Sequence, residues 1–125
     1  MTCIGPSMSP TIKLGDVITV VPYGSLRVRR GDVLVFRVPG GERMISHRVV
    51  KVSGRRLTVR GDNNGLEDPW RLSLEDVVGR VAKRARGRKI RSLAGGRAGA
   101  LLGGILRSTA VARLTLFRIF RPVYL

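Results

Sequence analysis

The chain has 125 residues, 43% hydrophobic and only 5% aromatic, which suits one domain whose core is built mostly from Val, Leu and Ile. Its formal net charge of +16 is unevenly spread: residues 1–78 hold all eight acids against twelve Lys and Arg, whereas residues 79–125 hold twelve bases and no acid. The single cysteine, Cys3, rules out an intrachain disulfide, and neither a secretory signal sequence nor an uncharged apolar run long enough to span a bilayer is visible.

In chain order, "GPSMSPTIKLGD" (residues 5–16) places two serines beside prolines and reads as a turn leading into a strand. "DVITVVP" (16–22) and "GDVLVFRVP" (31–39) are Val-rich runs opened by Asp or Gly-Asp and closed by proline, the pattern of two strands. "MISHRVVKV" (44–52) is a third. Its alternation puts Ile45, His47, Val49 and Lys51 on one face and Ser46, Arg48, Val50 and Val52 on the other, with either face a candidate for burial. "RRLTVRGD" (55–62) follows across a Ser53-Gly54 turn as the second arm of a hairpin, and "EDVVGRVAKRAR" (75–86) is a last strand that dissolves into the basic segment.

The remainder mixes glycine, leucine and arginine, and a helix is expected over 108–121, stopped by Pro122. With Arg107, Arg113, Arg118 and Arg121 among apolar residues, it suits either a bilayer interface or packing on the β core or a partner chain. The expected organisation is a mostly β domain of short antiparallel strands over 1–86, followed by a basic, partly helical tail over 87–125. The basic block attracts polyanions by long-range electrostatics. The run from Arg80 to Arg97 has no aromatic side chain to stack on nucleobases, whereas Phe117, Phe120 and Tyr124 lie in an amphipathic context. The partner expected of the tail is therefore a membrane surface rather than nucleic acid.

A serine hydroxyl is a poor nucleophile until a base takes its proton and a third group holds that base. His47 is the only histidine, and histidine is the one side chain that ordinarily titrates near neutrality. For the third group, Asp62 and Asp68 both lie in "RGDNNGLEDPW", a stretch that could equally be a simple turn. Each signal is weak alone. Together, "GPSMSPT…GD", "RRGDVLVFRVP", "ISHRVV" and "RGDNNGLED" resemble the successive boxes of the type I signal peptidases, the serine endopeptidases that remove signal peptides from secreted proteins. The likeness covers roughly residues 4–81 and is greatest to the archaeal and endoplasmic-reticulum branch, in which histidine replaces the lysine base of most bacterial enzymes.

That resemblance implies a signal-peptidase-like fold, related to that of LexA, and a serine endopeptidase acting on a precursor polypeptide with small residues at −1 and −3. It implies Ser7 as nucleophile, with Ser9 at a variable position; His47 as general base; and Asp68 as the third member, with Asp62 supporting and Glu67 the lesser neighbour. Met8 is expected to fill an apolar pocket beneath the nucleophile, Trp70 to close the loop by packing, and Gly15-Asp16 and Gly31-Asp32 to form turns. No cofactor or metal is called for.

Two departures from the family stand out. Where many relatives carry a serine two residues before the nucleophile as an oxyanion donor, this chain has Gly5, followed by Pro6, which leaves the Ser7 backbone N–H as the obvious donor. Nor is there the transmembrane anchor usual ahead of the serine box, so peripheral attachment through the basic tail, or a membrane partner, is expected, on a side the sequence leaves open. The first alternative is a degenerate, non-catalytic fold that binds polyanions or membrane surfaces. A lesser one is a LexA-type self-cleaving peptidase, which would need a lysine base that Lys51, past His47, does not match.

Overall fold

The run Val33-Leu34-Val35-Phe36 is continuously apolar, which in a strand means both faces are covered. In the computed structural model, which describes residues 7–117 and side chains as far as Leu106, the run forms β2 (Val33–Arg37), and all four side chains are buried. Val33 and Val35 point into a cluster with Met8, Ile12, Ile18 and Val81. Leu34 and Phe36 point the other way, into a cluster with Ile45, Val49, Leu57, Val59 and Leu72. One strand thus divides two small cores, and the candidate site is built around it.

The other strands are β1 (Val17–Val21), β3 (Met44–Ser53), β4 (Arg56–Arg60), β5 (Leu72–Ser73), β6 (Val77–Arg86) and β7 (Lys89–Ser92). They form a seven-stranded antiparallel sheet in the order β1-β6-β2-β3-β4-β5, with β7 paired to β6 beyond the end of β2. A helix, α1 (Gly96–Phe117), follows. The architecture is mostly antiparallel β with one C-terminal helix, in keeping with a signal-peptidase-like fold.

Several expectations shift. The β3–β4 turn falls on Gly54-Arg55, with Gly54 at φ 60° and Ser53 already paired to Arg56. Strand β3 is buried on both faces from Ile45 to Val49: Ile45 and Val49 join the second cluster with Leu34 and Phe36, while Arg48 on the other face packs against α1. It emerges into solvent past an irregularity in its pairing with β4 between Val49 and Lys51. The basic segment does not dissolve after Arg86: it turns at Gly87 and returns as β7, so the sheet crosses the boundary expected there.

Helix α1 begins at Gly96, well before residue 108, in a stretch whose glycines argue against a helix. The cause is tertiary. Gly96, Gly99 and Gly103 are buried, and a Cβ on Gly99 would lie 2.2 Å from the Gly31 carbonyl oxygen, while one on Gly103 would lie 2.6 Å from Arg48 Cδ. The helix approaches the sheet where side chains would not fit. Buried arginines fasten it: Arg60 donates to Gly103 O at 2.8 Å and Arg48 to Ala94 O at 3.1 Å. Asp32 accepts from the Gly96 N–H at 2.9 Å. Phe120, Arg118, Arg121 and Tyr124 lie outside the described residues, as do the side chains of Arg107, Arg113 and Phe117.

Both Gly-Asp pairs are turns, with Gly15 at φ 84° and Gly31 at φ 96°. Each aspartate accepts the N–H three residues back, Asp16 from Lys13 at 2.8 Å and Asp32 from Arg29 at 3.1 Å, and each also holds a distant group. Asp32 accepts the Tyr23 hydroxyl at 2.7 Å, and burial together with that carboxylate pushes the phenol above its usual range. Asp16 takes two hydrogen bonds from Arg86, at 2.9 and 2.8 Å, and the guanidinium holds its carboxyl below the ordinary range.

Candidate active site

Strand β3 is central, and its register sets His47 directly opposite Leu34 of β2. The imidazole is buried, with Phe36 edge-on at a centroid distance of 6.3 Å and Trp70 tilted at 6.4 Å; these two rings meet each other edge to face at 5.9 Å. Packed on these sides, the ring keeps one orientation. Its Nε2 faces Ser7 Oγ at 2.9 Å, and its Nδ1 meets the carboxylate of Asp68. Because a carboxylate only accepts, Nδ1 carries the proton and the Nε2 lone pair is turned to the serine hydroxyl.

Ser7 and Asp68 reach the histidine from two loops. Asp68 lies in the segment after β4, and its own N–H donates to Val59 O at 2.8 Å, which ties the loop to the strand beside β3. Ser7 opens a short turn in which the Ile12 N–H donates to Met8 O at 3.0 Å. Met8 is fully buried in the first cluster, and its Sδ accepts the Asp62 N–H at 3.3 Å. The Asn63 N–H donates to Ser7 O at 2.8 Å. Here the approach is so close that a Cβ on Gly61 would sit 2.4 Å from Ser7 O. The two loops are therefore fitted to each other backbone against backbone.

The two aspartates of this loop have different partners. Asp62 does not touch His47. Its carboxylate receives Arg48 Nε at 2.7 Å and Nη2 at 2.8 Å, a bidentate pair in which both side chains are buried, together with the Thr11 hydroxyl at 2.5 Å. Arg48 Nη1 also donates to Gly31 O at 2.8 Å. Asp62 thus clamps the serine turn and β3, whereas Asp68 contacts the imidazole. Ser9 precedes a cis Pro10, and Glu67 borders the cleft between β3 and α1.

Arg48, Thr11 and Gly61 were missed by sequence reasoning. A trace of Arg48 was present: it is a charged residue next to the histidine inside an otherwise Val-rich strand. Thr11 and Gly61 lie within the quoted boxes "GPSMSPT" and "RGDNNGLED", but nothing in the residues themselves assigns them a contact. Gly5 and Pro6, on which the oxyanion argument turns, lie outside the described residues. Among the described residues no group of three His, Cys, Asp or Glu side chains gathers to hold a metal ion, and no helix is long and apolar enough to cross a membrane.

Fold and site together define an antiparallel β domain in which a serine hydroxyl, an imidazole and a carboxylate form one hydrogen-bonded series. The chain is 33% identical over 88 residues to catalytic subunits of the signal peptidase complex from Homo sapiens and Mus musculus, an alignment covering 60% of this chain and 45% of each relative. The corresponding subunit of Schizophyllum commune is 26% identical over 103 residues, covering 60% of this chain and 53% of the relative. The chain spans about half the length of the curated relatives it matches. No family model matches it.

Proposed function

We propose that the protein is a serine endopeptidase of signal-peptidase type that hydrolyses one peptide bond of a precursor polypeptide. The observation that carries this reading is the 2.9 Å contact between Ser7 Oγ and His47 Nε2, continued through Nδ1 to Asp68. The similarity to signal peptidase complex catalytic subunits supports the substrate class.

Ser7 Oγ attacks the scissile carbonyl carbon while His47 Nε2 takes the hydroxyl proton, giving a tetrahedral oxyanion and an imidazolium. The Asp68 carboxylate stabilises the imidazolium and keeps Nδ1 protonated throughout. The imidazolium then delivers its proton to the leaving amine as the C–N bond breaks, leaving an acyl-Ser7 ester. A water deprotonated by His47 attacks this ester, and return of the proton to Oγ frees the new carboxyl terminus. The Ser7 backbone N–H donates to the developing oxyanion. Asp62, Arg48 and Thr11 act indirectly, by holding the serine turn against β3.

A detergent-solubilised precursor with small residues at −1 and −3 tests the reading. Ser7→Ala and His47→Ala are expected to lower kcat by about 10⁴-fold or more. Because the imidazole must be neutral to accept a proton, kcat/KM is expected to fall toward acid pH. Cleavage by Ser7→Ala at the wild-type rate would end this proposal.

A further inference from the structure

A tetrahedral oxyanion accepts more than one hydrogen bond, and the Ser7 backbone N–H supplies one. Gly5 has no side chain and Pro6 no N–H, so a second donor has to come from elsewhere in the fold. The segment that meets the serine is the turn 61–64, closed by the Asn64 N–H on Gly61 O at 2.9 Å. Arg60 braces it, donating to Gly61 O at 3.2 Å and to Asn64 O at 2.6 Å. Asn63 is the third residue of this turn, and its N–H holds Ser7 O at 2.8 Å. The turn is thereby fixed to the nucleophile's own backbone.

Most donors around the serine are already engaged. The Thr11 hydroxyl and Arg48 Nε and Nη2 go to Asp62, Arg48 Nη1 goes to Gly31 O and Ala94 O, and the Asp62 N–H goes to Met8 Sδ. The Asn63 carboxamide is different. The residue is 6% exposed, yet its Oδ1 is buried with no hydrogen-bond partner. Among the described residues one other buried side-chain atom is left so, Ser46 Oγ, and the alternation of β3 sets Ser46 on the face away from His47. A dry, unpaired acceptor costs stability, and an apolar side chain would avoid that cost. The use of a carboxamide here therefore lies at its other end, Nδ2. Because the two ends diverge from Cγ, an inward Oδ1 leaves Nδ2 as the outer one.

We propose that Asn63 Nδ2–H is the second oxyanion donor, acting with the Ser7 N–H on the carbonyl oxygen as Ser7 Oγ adds to the carbon. The bond from Asn63 N–H to Ser7 O keeps the carboxamide beside the nucleophile, and the braced turn holds it there before substrate arrives. A donor fixed in advance is the kind that accelerates reaction. The inference rests on the peptidase reading of Ser7. Asn64 is the competing donor, but its Nδ2 would lie 2.7 Å from a Cβ on Gly61, over the backbone of the turn itself.

The experiment compares the full chain as wild type, Asn63→Ala, Asn63→Leu and Asn64→Ala on the detergent-solubilised precursor. Each is also unfolded in urea and inhibited with a peptide aldehyde, whose Ser7 adduct places an oxygen where the oxyanion forms. Asn63→Ala is expected to lower kcat by about 100-fold or more with KM nearly unchanged, since the bond forms only as charge develops. Aldehyde affinity is expected to fall in parallel. Asn63→Leu keeps the volume without the donor, and is expected to show the same kcat loss with a urea midpoint no lower than that of wild type.

A lowered urea midpoint and raised KM in both Asn63 variants would make Asn63 a packing residue and overturn the proposal. So would a kcat loss confined to Asn64→Ala. Ser7→Ala separates this inference from the reading beneath it. If Ser7→Ala cleaves like wild type, the peptidase reading falls and the Asn63 assignment with it; if Ser7→Ala is inactive while both Asn63 variants turn over like wild type, the Asn63 assignment alone falls.

Discussion

At the scale of single residues, Asp62 and Asp68 are six positions apart in one loop and chemically identical, yet they do different things. Asp68 faces an imidazole, which the proposed mechanism would charge; Asp62 faces a guanidinium that is already paired. Asp68→Asn is therefore expected to lower kcat by about 10⁴-fold while the fold stays intact, since it loses the acceptor that keeps the proton on Nδ1. Asp62→Asn leaves Arg48 buried with its charge unanswered, and is expected to cost about 3–5 kcal/mol of stability, read as a shifted urea midpoint. An Asp62→Asn protein that unfolds like wild type would show that the pair is not a structural clamp. The family resemblance implied Ser7, His47 and Asp68 with Asp62 and Met8 supporting, whereas the residues by themselves left Asp62 and Asp68 as alternatives for the carboxylate that touches the ring. That depends on Asp68 N–H reaching Val59 O and Asp62 reaching across to Thr11, contacts between segments far apart in the chain.

At the scale of elements, strands announced themselves where alternation or an unbroken Val-Leu-Phe run met turn residues, so β1, β2, β3, β4 and β6 were legible to within a few residues. The two-residue β5 carries no periodic signal of its own, and β7 is hidden because four of the seven residues from Arg86 to Ser92 are basic. Helix α1 was misplaced because glycine opposes helix locally, while the sheet beneath demands it.

The glycines of α1 separate these two effects. Gly99→Ala gains helix propensity, but its Cβ would meet the Gly31 carbonyl oxygen, and it is expected to destabilise by about 1–3 kcal/mol. Gly104, on the same helix, has nothing within 4 Å of an added Cβ, and Gly104→Ala is expected to stabilise by about 0.5–1 kcal/mol. Urea unfolding of the two variants checks both signs; midpoints moving in the same direction would mean that the packing of α1 on β3 does not set its composition.

At the scale of the whole molecule, a chain of net charge +16 holds its serine turn to the far end of β6 through one acid, Asp16. The Arg86 hydrogen bonds, the largest cause, lower the Asp16 pKa below its ordinary 3.8, and the Lys13 N–H adds to the effect against the opposing cost of burial. The folded-state pKa thus lies below the unfolded one, so as pH falls the unfolded chain takes up the proton first. The stability Asp16 contributes is full above about pH 4 and is lost as pH drops through its depressed folded value. Self-repulsion grows over the same range as the other carboxylates are neutralised.

Two consequences follow for Asp16→Asn measured against wild type by thermal unfolding. Near neutral pH the variant is expected to melt at a lower temperature, because Arg86 and the Lys13 N–H lose their anionic acceptor. Below about pH 3 the gap is expected to close, since wild-type Asp16 is then increasingly neutral as well. A gap of constant size from pH 7 to pH 2 would show that the substitution acts through packing at Asp16 rather than through its charge, and that the serine turn is held to β6 by some other contact.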